Sequence, residues 1–287
     1  MKTKIDGFYL SFIILGFIAI IFILLPPLKT IFYTPVSTLK ETVLDAEVYN
    51  SIYLTIIAAL LATASGLLLG VPLAYLLARR QFWGKRLLEA VIDIPIVIPH
   101  SAAGVALLFV FGRNYFLGKV FHSLGIDFFQ TFYGVVLAMM FVSIPFLIDS
   151  AKEGFKAIDI ELEEIAFTYG ASPWQTFWYI SLPLAMKSIY SGSILMWGRG
   201  VSEFGAVMIL AYNVSFLGIK GKVLPVLVSD RFNYGLDYAR PIAAIGILIS
   251  LLIFIVFRMI ISRNKQDELL ISISVVHTVK MRFVGNC

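Results

Sequence analysis

From Phe8 to Leu25 the chain carries no charged side chain, and the run from Ser51 to Ala78 is equally free of charge. Uncharged stretches of about 18 residues or more are long enough, as helices, to cross roughly 30 Å of hydrocarbon. In lipid every backbone N–H and C=O must be paired within the protein, so only helices and closed barrels can span. Runs this long and continuous select helices. Composition agrees, with 59% hydrophobic and 14% charged residues and a mean hydropathy of +0.89. Soluble domains average roughly a quarter charged residues, so a soluble globular fold is excluded.

The expected fold class is an all-α membrane protein with six transmembrane helices. The spans are placed near residues 8–27, 51–78, 90–112, 131–149, 184–212 and 241–261, within a transmembrane domain of residues 1–265. The first apolar run exceeds the core of a secretory signal and no A-x-A-like site follows it, so it reads as a retained span ending near Pro26-Pro27. The second is rich in Ala, Gly, Ser and Thr, small residues that let membrane helices approach closely. Kinks are expected at Pro72 and Pro145, and in the third span at Pro95 and Pro99. Residues 266–287 have some strand-like alternation and no span-length run, and form a tail of unassigned role. Cys287 is the single cysteine, and His100, His122 and His277 are scattered. No disulfide within the chain, thiolate cluster or histidine metal motif is therefore expected.

A formal net charge of +5 needs no nucleic-acid partner. Cytoplasmic loops of membrane proteins carry excess Lys and Arg. The densest basic cluster, Arg79, Arg80, Lys85 and Arg86, directly follows the second span. Six spans put both termini on one side, and the larger share of lysines and arginines falls on that side. The expected location is the plasma membrane, multi-pass, with both termini cytoplasmic.

That orientation places one polar interruption, Glu161 to Pro183, in the cytoplasm, within a loop of residues 152–183 between the fourth and fifth spans. Glu161, Glu163 and Glu164 suit the first turn of a helix, where carboxylates meet the positive end of its dipole. Gly170 breaks that helix, and Ser172-Pro173 restarts one, with serine as N-cap and proline at the first helical position. Two short helices joined by a glycine turn form a docking device. Ala166 and Gly170 are small enough to let a partner approach the backbone, Phe167 and Tyr169 can fill a groove, and the glutamates can pair with basic residues or cap backbone donors. Nothing supplies catalysis: the nearest serine motif, Thr63-Ala64-Ser65-Gly66, lacks the first glycine of G-x-S-G, and no G-x-x-x-x-G-K-[ST] loop occurs. The chain therefore has no ATPase site of the usual P-loop kind; a permease that borrows an ATPase subunit fits that absence, and so does a channel.

Arg199 and Glu203 are the most unusual residues inside an expected span. Four apart on a helix, they can pair, and ionisable residues at membrane depth usually face the bundle interior or a water-filled path. Two readings stand: Arg199 shapes the outer mouth of an anion path with Glu203 limiting how tightly the anion is held, or the two form an internal salt bridge that locks packing. His100, following Pro99, either lines a kinked third span near the path or is a satisfied core histidine. Ser101, Ser202 and Gly205 complete the candidate path or gate set. Asp93 and Asp149 lie near the expected cytoplasmic edge, where solvation or a basic neighbour accounts for them.

Glu164-Ile165-Ala166, then Gly170, then Ile180-Ser181-Leu182-Pro183 resembles the cytoplasmic signature of ABC-importer permeases, E-A-A-x3-G-x9-I-x-L-P; Ile165 departs from it. Residues 98–114 (IPHSAAGVALLFVFGRN) and 197–213 (WGRGVSEFGAVMILAYN) resemble the permeases of molybdate and tungstate importers. Sulfate permeases share a segment like Glu203 to Ala206. The resemblance covers about Asn50 to Arg263. It implies a permease moving a tetrahedral oxyanion by alternating access, molybdate or tungstate first and sulfate or thiosulfate as the competitor. It further implies a homodimer in membrane lipid, two cytoplasmic ATP-binding cassette subunits holding ATP and Mg, and an external oxyanion-binding protein docking near residues 113–130 and 213–239. The docking residues so assigned are Glu161, Glu163, Glu164, Ala166, Phe167, Gly170, Ile180 and Pro183. The rival class is an ATP-independent channel or secondary transporter. Secondary transporters are often built from internal repeats, and no repeat relates the halves of this chain.

Overall fold

The structure, a computed structural model, describes residues 7–263, with side chains described to Met259. The N-terminal half contains α1 (Gly7–Phe32), α2 (Val36–Leu44), α3 (Ala46–Arg79), α4 (Lys85–Val97), α5 (His100–Phe111), α6 (Phe116–Ser123) and α7 (Phe132–Lys156). Then come α8 (Ile160–Thr168), α9 (Pro173–Thr176), a π-helical turn (Phe177–Ser181), α10 (Leu182–Val201) and α11 (Gly205–Leu210). A hairpin of β1 (Val214–Phe216) and β2 (Ile219–Gly221) leads into α12 (Leu224–Phe232) and α13 (Leu236–Arg263).

The centre is built by α3, α7 and α10. Buried Ser51, Thr55, Ala58, Ala62, Gly66, Gly70 and Ala74 recur every three or four residues of α3, forming one stripe of small side chains. The neighbours come close enough that a β-carbon at Gly66 would lie 2.3 Å from Met196 Cε. This is the small-residue packing expected between membrane helices, where apolar burial against lipid tails supplies little drive. One core cluster joins the first half of α3 to α5, α7, α11 and the hairpin; the other joins its second half to the ends of α7 and α10. Helix α1 has no buried residue and lies along α13.

Four helices among the described residues are long and apolar enough to cross a membrane: Gly7–Phe32, Ala46–Arg79, Phe132–Lys156 and Leu236–Met259. Several expected boundaries are corrected. Pro26-Pro27 does not end the first span; both prolines sit inside α1, which runs on to Phe32. The prolines at which kinks are expected, Pro72 and Pro145, lie inside α3 and α7, which continue past them. Helix α7 reaches Lys156, so the loop expected from residue 152 begins later. The expected third span is two helices, α4 and α5, bent by 115°. Proline disfavours helical backbone in the residue before it, and Ile98, ahead of Pro99, is extended (φ −70°, ψ 144°). The expected fifth span is also broken, because α10 stops at Val201 and α11 starts only at Gly205. The tail at 266–287, with His277 and Cys287, lies outside the described residues.

The segment expected as a loop at 213–239 is ordered. Leu217 and Gly218 both take positive φ (49° and 84°), the two-residue turn whose twist suits a tight hairpin. Phe216 stacks on Phe132 at 4.0 Å between ring centroids. Thr55 Oγ1 accepts the Leu224 N–H at 2.7 Å, tying α12 to α3. Asp230 accepts the Tyr212 hydroxyl at 2.6 Å and pairs with Lys222.

Candidate functional site

Two constellations hold nearly all the residues singled out by sequence. The first is the elbow between α8 and α9. Asp159 caps α8 by accepting the Glu161 N–H at 3.1 Å. At the other end, Gly170 N–H donates to Phe167 O at 2.9 Å and Ala171 N–H to Ala166 O at 3.0 Å. This pair of bonds is a Schellman stop, which needs a left-handed residue after the helix. Gly170 supplies it at φ +81°. Its accompanying apolar contact is Ala166 with Ala171 and Ile180. Ser172 then caps the next helix in a reciprocal capping box with Gln175, and Pro173 takes the first position.

The helix that begins there runs into Pro183. Proline has no N–H and its ring crowds the carbonyl four residues back, so an α-turn through Tyr179 is unavailable. The chain widens by one residue instead, and Leu182 N–H reaches back five positions to Phe177 O. The expected separation at Leu182-Pro183 is thus a π-turn joining α9 to α10, not an end.

The elbow corrects two roles. Ala166 is fully buried inside it, so its smallness serves the turn rather than a partner's approach. Glu163 also faces inward, with Oε1 2.9 Å from Arg79 Nε and accepting the Ser181 hydroxyl at 2.6 Å. Glu161, Glu164, Phe167, Tyr169 and Gly170 are exposed, Ile180 is buried and Pro183 is half-buried. With Trp174 and Trp178, also exposed, they present an apolar surface edged by carboxylates. Sequence reasoning missed Tyr75, Arg79 and Ser181. Arg79 was legible as the first of the basic cluster, but its partner lies 84 residues away.

The second constellation is where the two broken helices meet. A β-carbon at Gly205 would lie 2.7 Å from His100 Cβ and 3.0 Å from Ser101 N, so only glycine lets these breaks touch. Arg199 Nη2 stands 2.9 Å from Glu203 Oε2 and 3.0 Å from His100 Nε2. Glu203 is 1% exposed, and its other oxygen accepts the Ala206 N–H at 2.9 Å. Ser202 donates to Arg199 O at 2.9 Å and lies 3.4 Å from its Nη1. The expected Arg199–Glu203 pair forms, yet across a helix break, where Glu203 also caps the first turn of α11. His100 is exposed at the start of α5, so the core-histidine alternative is set aside. Asp149 pairs with Lys152 at 2.9 Å, the basic neighbour expected of it.

The sequence matches the family described as "Binding-protein-dependent transport system inner membrane component" over residues 66–265. A protein of Pyrococcus abyssi named molybdate/tungstate transport system permease is 43% identical over 229 residues, 79% of this chain and 84% of its own length. Its namesake in Thermococcus kodakarensis is 40% identical over 83% of this chain and 90% of its own length. A probable sulfate transport system permease of Chlorokybus atmophyticus is 37% identical, covering 71% and 70%. Among solved structures, a bacterial alginate ABC transporter in complex with alginate pentasaccharide-bound periplasmic protein shares the fold. Its TM-score is 0.67 at 16% identity, over 91% of this chain and 95% of that one. With the family match spanning most of the chain, relatives at 40–43% identity and several span-length apolar helices, this multi-pass membrane protein belongs to the binding-protein-dependent transport system inner membrane components, the permeases of ABC importers.

Proposed function

We propose that the chain is the permease subunit of an importer for molybdate or tungstate, powered by a separate ATPase. Six crossings, the third and fifth broken, put both termini and the elbow on the cytoplasmic face. Two copies of the chain enclose the path, two ATP-binding cassette subunits carrying ATP and Mg grip the elbows, and an external oxyanion-binding protein docks near residues 113–130 and 213–239. The observation that carries this reading is the exposed apolar and acidic elbow, rigidly capped at both ends. A rigid element pressed into a partner's groove delivers rigid-body motion, which alternating access needs. The substrate class follows the names of the relatives, and sulfate is the competitor for the same reason.

The Arg199–Glu203–His100 group fits a tetrahedral dianion that must pass rather than stay. Arg199 offers a guanidinium suited to oxyanions, while the carboxylate beside it keeps the site from holding an anion tightly. The test is co-expression with a cassette ATPase, capture on the tagged permease, and uptake of molybdate, tungstate and sulfate into proteoliposomes with the external receptor. Glu164→Lys is expected to release the ATPase. Capture undiminished by Glu164→Lys and by larger changes at Phe167 would remove the elbow from the docking role. Uptake without any ATPase would instead favour a channel or secondary transporter.

A further inference from the structure

Only two residues of α8 are buried, Glu163 and Ala166. Ala166 packs against Ala171 and Ile180, inside the same elbow. Glu163 reaches out of it. Its Oε1 takes both the Arg79 guanidinium at 2.9 Å and the Ser181 hydroxyl at 2.6 Å, and its Oε2 lies 3.4 Å from the Tyr75 hydroxyl. Arg79 in turn donates to Ile158 O at 3.2 Å, in the link between α7 and α8. The two charged side chains are 9% and 7% exposed, whereas Arg80, Arg86, Glu161 and Glu164 on the same segments stay in solvent.

Burying two opposite charges costs desolvation on both, and such a pair holds only where geometry is good and remaining hydrogen-bond capacity is filled. Here those conditions are met by groups drawn from separate elements. Tyr75 and Arg79 end α3, Ile158 follows α7, and Ser181 closes the π-turn of α10. Breaking the pair from one side would leave an uncompensated buried charge, so α8 cannot swing away from α3 without losing several contacts together.

We propose that the Arg79–Glu163 pair, with Tyr75 and Ser181, is the internal tie that makes the docking helix, the end of α3 and the π-turn of α10 move as one body. Glu163 is a positioning residue: it touches neither the ATPase nor the oxyanion, and it sets what the ATPase's motion is delivered to. This inference rests on the reading of α8 as the docking helix.

The experiment uses the whole complex, permease with its ATPase and external receptor, in proteoliposomes. Glu163→Gln keeps the shape of the side chain and removes the charge. ATPase capture is expected to match the natural chain, while substrate transported per ATP hydrolysed falls about 5–150-fold, the ordinary span of coupling between sites. Ser181→Ala leaves the ion pair intact and disconnects the π-turn, so it should give a smaller loss of the same kind. It also keeps the test open if Glu163→Gln fails to fold. Spin labels at Ile160→Cys and Gln81→Cys, with Cys287→Ser, should report one distance through the ATP cycle in the otherwise natural chain and a broadened one with Glu163→Gln. Unchanged transport per ATP in both variants overturns the tie. Loss of capture by folded Glu163→Gln also overturns it, by making Glu163 a partner contact. Failure of the natural chain to capture any ATPase would sink the importer reading instead.

Discussion

Gly170 separates two explanations of the elbow by the order of three substitutions. In one, glycine is needed because a partner approaches its backbone; in the other, because the backbone is left-handed. No atom lies within 4 Å of where its β-carbon would stand, so a side chain meets no clash within the chain. The cost is then conformational. At φ +81° an L-residue loses about 1–2 kcal/mol, which lowers the ratio of formed to unformed elbow roughly 5–30-fold. Asparagine visits this region more readily than alanine, and β-branched valine tolerates it worst. Binding of purified ATPase to the permease in nanodiscs should weaken most for Val, less for Ala and least for Asn. Amide exchange at residues 166–172 should rise in the same order, since the Gly170 and Ala171 N–H groups close the Schellman bonds. A partner that needs space predicts the reverse for the last two, because asparagine is larger than alanine. Weaker binding by Gly170→Asn than by Gly170→Ala, at equal exchange, would refute the conformational explanation.

Gly205→Ala places a β-carbon against backbone of His100 and Ser101, which cannot yield as a side-chain tip can. Overpacking of about 1–3 kcal/mol should abolish uptake while ATPase capture persists, measured in parallel on one preparation. Arg199→Gln leaves the buried Glu203 carboxylate with the Ala206 N–H but without its cation; uptake or thermal stability must fall, and no change in either would refute both the path and the packing roles. Outside the bundle, Lys222 and Asp230 set a pH dependence. Burial pushes the Lys222 ammonium down, but its bonds to Asp230 and Tyr212 outweigh this and leave it raised. Burial pushes the Asp230 carboxyl up, but bonds from Lys222 and Tyr212 outweigh this and leave it lowered. The lysine's contribution is therefore complete below about pH 10 and lost as pH rises through its raised value; the aspartate's is complete above about pH 4 and lost as pH falls through its lowered value. The difference in melting temperature between the natural chain and Asp230→Asn should stay level from about pH 5 to 9 and shrink on further acidification. A difference that grows with acid would contradict the sign.

Local chemistry made the elbow readable. Gly170, Ser172 and Pro173 act on backbone within a few residues of themselves, so their order along the chain already determines the turn and the second cap. The inward faces of Glu163 and Ala166 were not readable, because a short helix shows which face is buried only when its neighbours are known, and Arg79 is far along the chain. Pro99 announced a kink, but not one of 115°. The break after Val201 was hidden for a different reason. The apolar run around it is nearly continuous, and the Arg199–Glu203 pair reads as one turn of unbroken helix until His100 and the Ala206 N–H are seen around Glu203.

The π-turn at Phe177–Ser181 carries one residue more than the helical count on either side of it. Each residue of an α-helix advances the azimuth by about 100°. Everything from Leu182 onward is therefore out of phase, by about that angle, with an uninterrupted helix begun at Pro173. Trp174 before the turn, and Ile189, Met196 and Gly200 after it, lie on one rod with two separate bearings. The length of this turn aims the end that carries Trp174 relative to the end that carries Gly200. A single insertion or deletion there would turn one end relative to the other by about 100°.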